Sequence, residues 1–127
     1  VYPQYFAGNP DIHDTKLSNK YGIYSPNCGL AQVHMSFGHD EYLYHVCKPY
    51  LPTEALFIIR YHSFYSAHTS GAYDWLMNKD DVKNMQWVKT FNKYDLYSKA
   101  DEEPNVEELK PFYQELIGEY FPDTISW

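Results

Sequence analysis

Cysteine is nearly absent: Cys28 and Cys47 are the only two in 127 residues. A disulfide scaffold is therefore excluded. One bridge is the most the chain can form, and two isolated thiols fit a reduced, cytoplasmic protein better. Positive charge is scarce too, with 10 Lys and Arg against 17 Asp and Glu and a net charge of −7. No basic face of the kind that tracks a phosphate backbone can be assembled, so nucleic acid is not an expected partner. No apolar run approaches a membrane span, and no secretory leader opens the sequence. An initiator Met is missing from Val1-Tyr2-Pro3, which suggests a processed product or a piece of a longer chain. There is no GxSxG elbow, phosphate loop, GxGxxG or CxxC pair. Neither internal repeats nor low-complexity tracts occur.

What is present is apolar and aromatic. Hydrophobic residues make up 44% and aromatics 19%, with 14 Tyr. This suits a single folded domain spanning residues 1–127, whose buried tyrosine hydroxyls need partners. The periodicity is helical throughout. Residues 1–28, rich in Pro, Asn, Asp and Gly, read as a loop-rich arm. A first helix is expected from about Ser36 as N-cap to Lys48-Pro49, with Asp40 and Glu41 in its first turn. A second starts at Pro52-Thr53-Glu54. Turn signals fill Ser66 to Gly71, and a short helical piece follows around Tyr73 to Met77. A third long helix is expected from Asp80 or Asp81, with Asp81 as its cap, to Tyr97. After the acidic linker Ala100 to Pro104, an amphipathic helix runs from Val106 to Tyr120, starting or kinking at Pro111. The fold class is all-α, a helical bundle.

Three metal-capable side chains sit on these helices. His39 shares an apolar stripe with Tyr42, Leu43 and Val46, and His62 shares one with Ala55, Ile58 and Ile59. Asp95 lies on the face of Val88, Phe91 and Asn92. Both histidines are expected to face the core, and a carboxylate buried with them needs a strong partner. A histidine on an apolar face is more often a hydrogen-bonded core residue than a ligand. Two of them with a carboxylate, each on its own helix, equally fit an iron site in a bundle.

Asp40 follows His39, but adjacent helical positions diverge by about 100°, so its simpler roles are dipole compensation or a bond to a ligating histidine. Ser63 either bonds back to its own helix or donates to a ligand beside the metal. Lys99 either compensates the helix dipole, neutralises Asp95 or contacts a polyol. Lys89 and Lys93 are expected to be solvated. His13, His34, His45 and His68 match no ligand spacing and are read as structural or surface residues.

At Phe37-Gly38-His39-Asp40-Glu41-Tyr42, Arg60-Tyr61-His62-Ser63-Phe64-Tyr65 and Phe91-Asn92-Lys93-Tyr94-Asp95-Leu96-Tyr97-Ser98-Lys99 the chain resembles the myo-inositol oxygenase family. The likeness extends from Tyr21-Gly22-Ile23-Tyr24 to Lys110-Pro111-Phe112-Tyr113 and the terminal Trp127, with Phe37 standing where that family usually has Trp. The resemblance implies a variant of the all-α HD-domain fold, present here in part, with two iron ions per complete site. It also implies the opening of the myo-inositol ring by O2 to give D-glucuronate.

By resemblance, His39 and His62 are ligands of one iron and Asp95 of the other, while His62, Ser63 and Lys99 fall where the substrate is held. Four histidines and two aspartates serve the family. One His and an adjacent His-Asp pair among them precede anything found here. The chain is thus expected to be the C-terminal part of such an enzyme, with the N-terminal remainder as its partner. The apolar stripes around the ligands would then face water in this chain alone. Two rival readings remain: an HD-type phosphohydrolase, for which basic residues are few, and an inert fragment or interaction module with an incomplete metal site.

Overall fold

The computed structural model describes residues 3–95 and 103–127. Within them the regular elements are all helical, and no strand occurs among the described residues. The all-α expectation holds. Helix α1 spans His39–Cys47, α2 Thr53–Tyr61, α3 Tyr65–His68, α4 Lys79–Asp95 and α5 Val106–Tyr120. Helix α2 is the centre of the arrangement, packing against α1 on one side and α4 on the other, while α3 rests on α4.

Local chemistry marks the starts of α1, α2 and α4. Gly38, extended at φ −98° and ψ −166°, precedes α1 and offers no capping side chain. The cap position thus falls two residues later than the expected Ser36. Asp40 substitutes for a cap, its Oδ1 accepting the Glu41 amide at 2.9 Å, one of the donors left over in a first turn. Pro52 stands before α2 in extended geometry.

At α4 the sequence expectation needs correction. Asp81 is not the cap; Asn78 is. The Asn78 Oδ1 accepts the Asp81 amide at 2.9 Å, and Asp81 Oδ2 accepts the Asn78 amide at 3.0 Å. This is a reciprocal capping box with Asp in the place of the usual Glu or Gln. The one-turn helix α3 was not anticipated, because four residues are too few to display a period.

The core gathers Leu30, Phe57, Tyr61, Ala67, Leu76, Met77, Met85 and Val88. Phe57 and Tyr61, one turn apart on α2, place their ring centroids 4.6 Å apart. Met85 and Val88 meet them from α4. The loop before α1 is stitched onto this core by backbone bonds from Asn27 to the Trp75 carbonyl (2.7 Å) and from Gly29 to the Leu76 carbonyl (2.8 Å). Buried Asp81 adds a bond from the Leu30 amide at 2.8 Å. Gly29 has φ +92°, and a Cβ there would lie 2.5 Å from Asn78 Nδ2. Only glycine allows this approach.

Residues before this loop form short 3₁₀ turns at Pro3–Phe6 and Pro10–His13 and Asx-type turns at Asn9, Asp14 and Asn19. They are the loop-rich arm expected from composition. Helix α5 has the anticipated bounds, with Pro111 inside it, and none of its residues is buried. No described helix is long and apolar enough to cross a membrane.

Candidate metal and substrate site

The first turn of α1 and the last turn of α2 meet residue by residue. His39, Asp40 and Glu41 each bond a residue at the far end of α2: His62, Ser63 and Arg60 in turn. His39 Nε2 and His62 Nε2 are 3.2 Å apart, with ring planes at 73°.

The tautomers are constrained. His62 Nδ1 lies 2.9 Å from the Ile59 carbonyl, an oxygen that can only accept, so Nδ1 carries the proton. In the neutral ring Nε2 is then a bare lone pair aimed at His39. His62 still has helical backbone, with φ −60° and ψ −35°, and its carbonyl takes a bond from His68 Nε2 at 2.9 Å. The Phe91 ring on α4 packs nearly perpendicular to its ring, with centroids 6.0 Å apart. His62 is thus held from three sides.

Two imidazole nitrogens each about 2.1 Å from a common cation and roughly at right angles lie about 3 Å apart. The His39–His62 separation fits that spacing, and neutral imidazoles suit iron. The donor set is compatible with one iron, as a pair. No group of three or more His, Cys, Asp or Glu side chains converges among the described residues, so Asp95 does not join the pair.

The burial expectations need correction. His39 and Asp95 are exposed and His62 is half-buried. Of the His39 stripe only Val46 is buried; Tyr42 and Leu43 lie open. Rather than a buried counter-charge, Asp95 has the Tyr65 hydroxyl, which donates to Oδ2 at 3.1 Å. Desolvation and this carboxylate push the Tyr65 phenol above its ordinary value. Lys89 and Lys93 are exposed, as expected. Lys99 lies outside the described residues.

Asp40 and Ser63 find each other, a pairing the sequence did not suggest. Ser63 Oγ donates to Asp40 Oδ2 at 2.5 Å. Burial works against the Asp40 charge, but the bonds from Ser63 and the Glu41 amide and the nearby His39 outweigh it, and the carboxyl lies below its ordinary value. Glu41 is lowered as well, chiefly by its bonds to Arg60. His45, exposed and off the stripe, rests on Glu41 Oε1 at 3.1 Å. Arg60 also covers the Tyr44 ring, 4.4 Å from its centroid. Sequence reasoning missed Arg60 and Tyr65 as parts of this region. Neither repeats a spacing that would mark it.

Both thiols are free. Burial pushes the Cys47 thiol up, which makes it a poor nucleophile.

A family model described as myo-inositol oxygenase matches residues 1–127. Inositol oxygenase 5 of Arabidopsis thaliana is 52% identical over 130 residues, covering all of this chain and 41% of the relative. The inositol oxygenases of Dictyostelium discoideum and Mus musculus are each 50% identical and cover 100% and 96% of this chain, in both cases 44% of the relative. The class thereby defined is a family of oxygenases. The chain belongs to the myo-inositol oxygenase family. It spans about two fifths of the length of the curated relatives it matches.

Proposed function

We propose that this chain is the C-terminal part of the single HD-like catalytic domain of a myo-inositol oxygenase, cleaving the inositol ring with O2 to D-glucuronate. Its partner is the N-terminal remainder of the same enzyme, which supplies the missing ligands. The single observation that carries the reading is the 3.2 Å approach of His39 Nε2 and His62 Nε2. His39 and His62 are the imidazoles of one iron, and Asp95 serves the second. Bound iron would supply the one-electron chemistry toward O2 that side chains lack.

This chain's own residues hold and orient. The Ile59 carbonyl fixes the His62 tautomer that leaves Nε2 free to ligate. Ser63 and Lys99 contact the polyol, Ser63 from the residue next to His62. Two free cysteines and an acidic balance suit a reducing cytoplasm.

The test is reconstitution of the iron-loaded chain with the N-terminal remainder, followed by O2 uptake and sugar-acid analysis on adding myo-inositol. D-glucuronate formed with matching O2 consumption is expected. Phosphate release from an inositol phosphate, with no O2 uptake on inositol, would instead make this an HD-type phosphohydrolase. Neither activity would leave a non-catalytic module.

A further inference from the structure

We propose that Asp40 is a positioning residue for the substrate: it accepts the hydrogen bond that the Ser63 hydroxyl donates, so that Ser63 Oγ meets the polyol as a hydrogen-bond acceptor. This rests on the reading above that Ser63 contacts inositol. It adds the direction of that contact and the residue that sets it.

A serine hydroxyl carries one proton and two lone pairs, whereas an ionised carboxylate can only accept. In the Ser63–Asp40 bond the proton therefore points at Asp40 Oδ2. What Ser63 can offer on its other side is a lone pair, and Ser63 is only half-buried. A hydroxyl of the polyol that meets it must donate.

The carboxylate is not free to turn away. Its Oδ1 is held by the Glu41 amide at 2.9 Å. A Cβ at position 38 would lie 3.0 Å from the same oxygen, so Gly38 leaves the room that Asp40 occupies. One oxygen thus faces the helix amide and the other faces Ser63, and neither can exchange roles without losing a charge-assisted bond.

This geometry decides what Asp40→Asn does. The Glu41 amide needs an oxygen opposite it, so the side-chain amide must turn its NH2 toward Ser63. The NH2 then donates to Oγ and drives the hydroxyl proton outward. Ser63 changes from acceptor to donor while side-chain volume stays nearly constant.

Binding is measured by calorimetry on the anaerobic iron-loaded holoenzyme, using myo-inositol and its monodeoxy and monodeoxyfluoro derivatives. Fluorine accepts weakly and cannot donate. In the unsubstituted enzyme, one ring position should therefore lose binding equally when its hydroxyl becomes hydrogen or fluorine. That arm needs no variant. Asp40→Asn should raise the Kd for inositol roughly tenfold with iron content unchanged, and fluorine at that position should then be better tolerated than hydrogen. Gly38→Ala, which crowds Asp40, should shift Kd in the same direction. Ser63→Ala should erase the position dependence.

If Ser63→Ala weakens binding but Asp40→Asn binds inositol and the fluoro series as the parent does, Asp40 does not set the contact and the proposal falls, while Ser63 keeps its substrate role. If Ser63→Ala binds as the parent does, the Ser63 reading itself fails and the proposal with it. Loss of iron in Asp40→Asn would show action through His39 and overturn it as well.

Discussion

Arg60 and Glu41 meet fork to fork across α1 and α2, with Nε 2.6 Å from Oε2 and Nη2 2.7 Å from Oε1. Both side chains are largely covered, at 17% and 13% exposure. Paired N–H donors fix an angle as well as a distance, and the angle fixed here is that between the helices bearing His39 and His62.

Loss of the fork should loosen the joint. Glu41→Gln keeps the shape but removes the charge, and should destabilise the folded chain by about 1.5–3 kcal/mol, the usual range for a bond to a charged group. Arg60→Lys keeps the charge but not the planar pair of donors, and should not restore the loss. Denaturant unfolding of the holoenzyme compares them. Equal stability of the Lys variant and the parent would mean that charge alone matters.

Acid should act on the same joint. Both Glu41 and Asp40 have carboxyls below their ordinary values of 4.5 and 3.8 in the folded chain. A depressed acid contributes stability that is complete above its unfolded value and is lost as pH falls through its folded value. Stability should therefore be level near neutrality and decline below about pH 4.5. Glu41→Gln should decline less steeply than the parent over that range. Parallel acid-unfolding curves for the two would remove Glu41 from the account.

Helix α5 carries an uncovered apolar face. Phe112 and Ile117 are 59% and 56% exposed, and patches of this kind favour association. The chain without the remainder of the enzyme should sediment as more than a monomer, and replacing Phe112 and Ile117 with Gln should reduce this without lowering helix content. A soluble monomer with a cooperative melt, unaffected by the remainder, would mean that these residues form a self-sufficient domain.

How far the sequence reveals this depends on the range of the interaction. The bounds of α5 follow from its own amphipathic period. The phase of α1 was legible as well, since His39, Tyr42, Leu43 and Val46 do share a face. Its burial was not, because a stripe says which residues lie together and not what covers them. Tyr42 and Leu43 remain open while Val46 is buried. Cross-helix pairs were the least legible. Asp40 and Ser63 are 23 residues apart and Glu41 and Arg60 are 19 apart, so no local pattern links them. Each alone looks like an ordinary helix-end or surface residue. Resemblance singled out Ser63 as a substrate contact, and only the fold supplies its partner.

The central claim is that His39 and His62 share one iron. It is tested most directly by counting iron in the reconstituted enzyme carrying His39→Ala, His62→Ala, both together, and His45→Ala as control. The account predicts that each single variant and the double variant lose the same one iron of two. The control, whose imidazole rests on Glu41, should keep both. If the double variant lost both irons while each single variant lost one, the two histidines would serve different ions. If His45→Ala lost iron and His39→Ala did not, the helical phase assigned to α1 would be wrong.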